Sequence, residues 1–220
     1  MKDYSCHIVQ LALFVKQGKI QPDELSAKIR GALVIGDFNT MIVPDAPGMP
    51  DEFPRLQIHT VRGYRLTSSN ARVDFFLDLP LGVDERLLGE FTQNCSALLG
   101  VLHGFGCAYS RIGFVKTYFS ADERAEKTFI DLVSKLSSDD VSEVQFSLTK
   151  KTSISGYSCN DMFSFTSAYM SGRRGIVTVR DINTDPNVDL NLDAEKAESL
   201  ITEFNFLSGK DSIVRFTGEH

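Results

Sequence analysis

The spacing most suggestive of chemistry lies in Asp181-Ile182-Asn183-Thr184-Asp185-Pro186-Asn187-Val188-Asp189-Leu190-Asn191-Leu192-Asp193. Asp or Asn stands at every second position, and oxygen side chains at that period are what a hard divalent cation takes as ligands. Asp181, Asn183, Asp185 and Asp189 are therefore the candidate ligands for Ca²⁺ or Mg²⁺. The EF-hand rule is broken twice: Pro186 stands where the turn requires Gly, and Leu192 where the bidentate Glu belongs. In a strand the same alternation makes a polar face and an apolar face, the latter from Ile182, Val188, Leu190 and Leu192. Asp193 suits a helix N-cap. A structural role is the expectation, and a metal site the alternative.

Paired carboxylates occur at Asp74 and Asp78, which share a strand face with Phe76, and at Asp84-Glu85, Asp122-Glu123 and Asp139-Asp140. A metal-dependent hydrolase would use such carboxylates with a nearby Lys or His, yet no Lys follows at a recognisable spacing. Helix starts account for Asp84, Glu85, Asp122 and Glu123 through the helix dipole. Basic residues gather at Arg62, Arg65 and Arg72 around a first hairpin and at Arg173-Arg174 on a second. These five are the candidate partner-binding residues. With Tyr64 the first group could track a phosphate backbone; solvated turns and edge-strand protection explain them equally simply.

Other constellations are incomplete. Leu99-Gly100-Val101-Leu102-His103-Gly104-Phe105-Gly106 holds three glycines but follows a helix and enters a strand, the reverse of a dinucleotide fingerprint. No Gly-x-Ser-x-Gly element occurs. Cys6, Cys95, Cys107 and Cys159 lie far apart, with no Cys-x-x-Cys, which reads as free, buried thiols. A nucleophilic Cys would need His7, His59 or His103 beside it, and sequence separation does not reveal such a pair.

The elements that must position these residues follow from periodicity. Cys6 to Val15 reads as a strand with Val9, Leu11, Leu13 and Val15 on one face. Pro22 opens a helix with Leu25, Ile29, Ala32 and Leu33 on its apolar side. Asn39 to Pro54 carries four prolines and reads as irregular loop. Leu56 to Leu79 reads as strands broken at Arg62-Gly63 and Ser68-Ser69-Asn70, and Val83 to Leu102 as a long amphipathic helix. A strand is expected over Phe105 to Phe119. A capping box of Ser120 and Glu123 then starts a helix whose stripe runs from Ala125 through Phe129, Leu132 and Val133 to Leu136. Val144 to Leu148 reads as a strand, Met162–Met170 and Ile176–Ile182 as a hairpin, and Asp193 as the start of a last helix stopped at Gly209.

Residues 1–104 and 105–209 thus share one order: strand, helix, three strands, helix. The expected fold class is α+β, a duplicated strand-helix-three-strand-helix unit with antiparallel sheet covered by helices. Residues 1–104 form the first half and 105–220 the second, packed as one compact body. Either one long sheet with helices on one side or two packed sheets would satisfy the pattern.

Composition bounds the class of function. The 220 residues are 42% hydrophobic and 24% charged, with 16 Phe and 6 Tyr, which excludes a disordered chain. With 23 basic and 29 acidic residues the net charge is −6, which disfavours a generic polyanion binder. Ile8 to Val15 is too short to span a bilayer and no cleavage site follows it, so the expectation is a cytoplasmic protein without membrane attachment.

Ser110-Arg111-Ile112-Gly113-Phe114 after a long helix, Arg180-Asp181-Ile182-Asn183-Thr184 closing a strand, and the stretch Phe204 to Phe216 together resemble a widespread family of small bacterial proteins of unknown function. The resemblance covers most of the chain and departs at the proline-rich loop. It implies an intracellular bacterial or phage origin and a single α+β body, and it lends no functional residue.

Functionally the expectation is a non-enzymatic binding or assembly protein acting through protein–protein contacts, with a protein partner or a homo-oligomer and no cofactor. A metal-dependent hydrolase is the alternative and a nucleic-acid-binding module the third reading. The strand Met162–Met170 motivates the first: Phe163, Phe165 and Tyr169 form one face and Met162, Ser164, Thr166, Ala168 and Met170 the other. A core needs only one of them.

Overall fold

The computed structural model describes residues 3–82, 85–133, 141 and 143–217. Its chain order is β1 (Ser5–Gln17), α1 (Pro22–Ala32), β2 (Phe38–Ile42), β3 (Leu56–Thr60), β4 (Tyr64–Ser68), β5 (Arg72–Asp78), α2 (Glu85–His103), β6 (Ala108–Ala121), α3 (Ala125–Val133), β7 (Gln145–Ile154), β8 (Tyr157–Met170), β9 (Arg173–Thr184), α4 (Ala194–Leu207) and α5 (Lys210–Thr217). The fold is α+β. One antiparallel sheet of nine strands runs in the order β2-β3-β4-β5-β1-β6-β9-β8-β7.

β1 and β6 lie at the centre, with Leu11 opposite Phe114 and Leu13 opposite Ile112. Each opens a stretch that passes through a helix and returns as a meander, so that β5 lands beside β1 and β9 beside β6. Among the described residues, β2 has no counterpart between α3 and β7.

Period two in the strands divides the sheet into two faces. On one face Val9, Leu11, Leu13, Val73, Phe75, Leu77, Ile112 and Phe114 are buried. Phe91 of α2 lies in this layer, its ring 5.1 Å from Phe75 and 6.2 Å from Phe114. α4 is fastened to the same face: Lys116 Nζ donates to Asn205 O at 3.0 Å and Tyr118 OH to Ser208 O at 2.7 Å. Leu25 and Ile29 of α1 and Ala197, Leu200, Ile201 and Phe204 of α4 complete it. The apolar stripes of α1, α2 and α4 therefore face one sheet surface. No helix among the described residues lies over the other surface.

Both hairpins of the second half turn on two residues with positive φ, Ser155-Gly156 (50° and 80°) and Ser171-Gly172 (51° and 76°). That geometry matches the twist of the flanking strands. It places the turn at Ser171-Gly172, tighter than the five residues 171–175 expected.

Four local expectations are corrected. β2 forms within the proline-rich stretch, because all four prolines fall after its last residue, Ile42; Met41 and Ile42 are exposed on this edge strand, so no burial alternation marks it. Ser120 is no helix cap: it is buried in β6 opposite Ile176, and Asp122 closes the next turn by accepting from Arg124 N at 2.9 Å and Thr128 Oγ1 at 2.8 Å. The Asp/Asn ladder does not continue as strand beyond Thr184, where Asp185 accepts from the backbone of Asn187 and turns the chain. Gly209 separates α4 from a further helix, α5, that periodicity did not announce. Asp193 does cap α4, accepting from Lys196 N at 3.0 Å. Leu136, the end of the α3 stripe, lies outside the described residues.

Candidate functional site

The uncovered face of the sheet holds the densest group of polar side chains not accounted for by helix packing. Its middle row runs Thr67, Asp74, Ala12, Gly113, Asn183, Asn160 and Lys151 across β4, β5, β1, β6, β9, β8 and β7. The two smallest side chains stand on the two central strands, with polar side chains on either side of them. Arg72, Phe14 and Arg111 form the next row on β5, β1 and β6. On the other side, Arg65, Phe76, Gln10, Val115, Asp181 and Met162 form a third row.

Two cations share one ring in this group. The guanidinium carbons of Arg72 and Arg111 lie 4.7 and 4.9 Å from the centroid of Phe14, the range of a favourable cation–π contact. Arg72 Nη2 donates to Asp74 Oδ1 at 2.7 Å, and Gln10 Nε2 donates to the same oxygen at 2.8 Å. On the other side of Ala12 and Gly113, Arg111 Nη2 and Asn160 Nδ2 both donate to Asn183 Oδ1, at 3.0 and 3.2 Å, while Asn183 Nδ2 donates to Asp181 Oδ1 at 2.9 Å. Burial pushes the Asp181 carboxyl above its ordinary range, against the pull of Asn183, Arg111 and Arg72. Three buried polar atoms in this group have no partner: Arg72 Nε, Arg111 Nε and Asn160 Oδ1.

The sequence-derived candidates divide between the faces. Arg65 and Arg72 lie on the uncovered face. Arg65 donates Nε and Nη2 to Asp78 at 2.6 and 2.8 Å, stacks 4.5 Å from the Phe76 centroid, and is held more firmly protonated by that carboxylate. Arg62 turns to the helix side, donating to Val34 O at 3.2 Å and pairing with Glu90 of α2. Arg174 also lies on the helix side, 2.6 Å from Glu126 of α3. Arg173 rims a cleft of ≈ 380 Å³ at the strand ends, with Ser5, His7, Pro80, Leu81 and Phe119. Burial lowers the His7 pKa there.

Among the candidate metal ligands, Asp181 and Asn183 stand two residues apart on the uncovered face. Asp185 is instead held by Lys151 at 2.7 Å, and Asp189 by Lys16 at 2.5 Å. The Lys151 ammonium and the Asn187 amides hold the Asp185 carboxyl down at about 2. Asp181 and Asn183 thus bond each other, while Asp185 and Asp189 are drawn to two different lysines. Among the described residues no group of three or more His, Cys, Asp or Glu is placed to hold a metal ion.

All four cysteines are free and buried. Burial pushes the thiols of Cys107 and Cys159 up to about 11 and that of Cys95 higher still, the opposite of an activated nucleophile. Neither Asp74 nor Asp78 is open: each accepts from an arginine on its own or the adjacent strand.

No family model and no curated protein matches the chain.

Gln10, Ala12, Phe14 and Asn160 belong to the site and were not singled out by sequence. The readable signal was the second face of β1: Gln10, Ala12 and Phe14 alternate with the buried Val9, Leu11 and Leu13. A polar, a small and an aromatic residue side by side in a central strand mark a surface of mixed chemistry. Arg111, Gly113 and Asn183 entered only through the family resemblance or the acidic ladder.

Proposed function

We propose that this chain is a non-enzymatic binding protein that works through protein–protein contacts, and that the uncovered face of its sheet is the docking surface. The observation that carries the reading is the arrangement of that face. Nine strands wide and free of helix among the described residues, it presents Ile8, Phe76, Val115, Val177, Val179 and Met162 half-buried beside Arg65, Arg72 and Arg111. Aromatic residues, methionine and arginine are the side chains enriched at the centre of protein interfaces. Antiparallel sheets do tolerate one solvated face, but such a face is ordinarily clean polar alternation, and here it is not.

The rest of the reading is consistent with this one. Buried thiols of raised pKa and acids already paired with cations leave little for nucleophilic or metal-assisted chemistry. The net charge of −6 argues against a phosphate backbone as partner. No helix among the described residues is long and apolar enough to cross a membrane, and we place the protein in the cytoplasm of a bacterial or phage system. The related paths of the chain from β1 to β5 and from β6 to β9 support a duplicated unit to which β2 was added.

Light scattering across a wide dilution range tests the reading, with Val179→Asp as the control variant. Val179 lies on the uncovered face between Thr117 and Ser164. Association that Val179→Asp abolishes without a matching fall in Tm supports docking through this face, and a specific interface should bury more than about 1,000 Å² in total. A monomer at every concentration that also retains no partner from its own cells would contradict it.

A further inference from the structure

Arg65 and Arg72 each meet a carboxylate on the uncovered face, at 2.6 and 2.7 Å. Arg111 does not. Its Nη2 donates to the amide oxygen of Asn183, its buried Nε has no partner, and its charge acts on Asp181 without forming an ion pair among the described residues. Beside it a cleft of ≈ 380 Å³ opens between Phe14, Ser110, Arg111 and the turn Pro186-Asn187-Val188-Asp189. We propose that Arg111 and this cleft receive the carboxylate of an acidic side chain on an extended segment of the partner protein. This rests on the docking reading above and names the chemistry of the partner.

Four features fit that occupant. The Arg111 guanidinium is already oriented, stacked 4.9 Å from the Phe14 centroid and tied to Asn183 at 3.0 Å, so little side-chain freedom is lost on binding. A guanidinium fork matches a carboxylate in plane and charge. Phe14 and the partly exposed Val188 supply apolar walls for the methylenes of a glutamate. Ala12 and Gly113 set the two smallest side chains of the face beside it, so no bulky side chain stands there in the way of a peptide backbone.

The charge around the cleft selects a single negative charge over a phosphate. Asp74 and Asp181 lie in the same group and Asp189 in the cleft wall, the last tied to Lys16 at 2.5 Å. These acids repel a dianion more strongly than a carboxylate. A nucleic-acid backbone is disfavoured on the same ground and by the net charge of −6.

The test is an NMR titration of the full ¹⁵N-labelled chain with three probes: acetyl-Val-Glu-Val-Glu-Val-amide, the same peptide with Gln for Glu, and inorganic phosphate. The Glu peptide is expected to shift the Arg111 Nε–H signal and the amides of Gly113 and Asn183. The Gln peptide should bind roughly tenfold more weakly or worse, the loss of one charged hydrogen-bonded pair, and phosphate should leave these signals in place. Arg111→Met keeps the stem on Phe14 and should lose the Glu-peptide shifts. Lys28→Met, the same charge change on α1, should retain them. Equal binding of the Gln peptide, equal shifts with phosphate, binding that survives Arg111→Met, or no shift at millimolar Glu peptide would each overturn the proposal. If Val179→Asp still abolishes association in that event, the docking face stands and only its carboxylate chemistry falls.

Discussion

Gly113 of β6 stands directly opposite Ala12 of β1, on the face of the sheet that no described helix covers. The pairing puts the two smallest side chains of the face at its centre, where Asn183, Asp74, Gln10, Phe14, Arg111 and Val115 surround them. A Cβ on Gly113 would meet Asn183 Cβ at 3.5 Å and Ala12 Cβ at 3.8 Å, ordinary contact distances. Backbone geometry therefore does not demand glycine at this position.

Gly175 offers the contrast. A Cβ there would lie 2.6 Å from two ring carbons of Phe119 and closer still to Ser120 O, so the ring and the strand would have to move. Gly175→Ala should cost about 1–3 kcal/mol, the range for overpacking, whereas Gly113→Ala should stay within about 0.5 kcal/mol. Urea denaturation of the two variants checks this, and a loss at Gly113 as large as that at Gly175 would assign both glycines to backbone packing.

Arg180, which the resemblance drew attention to, is buried on the helix side. Its Nε and Nη2 donate to the two oxygens of Asp161 at 2.9 Å each, and Nη1 donates to Leu207 O at the end of α4. Removing one member of a buried pair leaves the other charge without compensation. Arg180→Met should cost about 3–5 kcal/mol, and Asp161→Leu added to it should recover part of that loss. Chemical denaturation of the single and double variants measures the difference; a double variant no better than the single one would mean that the Leu207 bond is the larger contribution.

Asp181 and Asp185 should respond to pH in opposite senses. The Asp185 pKa is depressed from 3.8 to about 2, first by the Lys151 bond and then by Asn187, so its stabilisation is present above pH 3.8 and is lost as pH falls toward 2. The Asp181 pKa is raised by burial, so its favourable contribution belongs to the protonated form, is complete below the ordinary value, and is lost as pH rises through the folded pKa. Accordingly Asp185→Asn should lower Tm at pH 7 and flatten its fall between pH 4 and 2. Asp181→Asn should hold or raise Tm at pH 7. A fall in Tm at pH 7 in both variants would show that the bond to Asn183 outweighs the burial of Asp181.

What could be read in the sequence was whatever a core imposes. Leu87, Leu88, Phe91, Cys95, Leu98, Leu99 and Leu102 repeat at helical spacing because α2 buries one stripe, and Val73, Phe75 and Leu77 alternate because β5 buries one face. β2 was hidden because an exposed edge strand has no burial period to detect. The cap of α3 was misplaced because Ser120 and Asp122 both offer an oxygen, and only pairing with β9 shows that Ser120 is still in the sheet. Of the site, Arg65 and Arg72 were legible as basic residues around a hairpin. Their separation from Arg62 and Arg174 was not, since neither turn geometry nor strand register is carried by residue type alone. The Phe14 ring shared by Arg72 and Arg111 joins residues 58 and 97 positions away from it, contacts that no local pattern encodes.

Docking through the uncovered face is tested most directly by photo-crosslinking in the protein's own cells, with a benzophenone amino acid at Val115 on that face or at Glu198 on the outer side of α4. Protein adducts are expected at Val115 and not at Glu198, and they should disappear when Val179→Asp is added. No adduct at Val115, or the same adducts from both positions, would contradict the uncovered face as the binding surface.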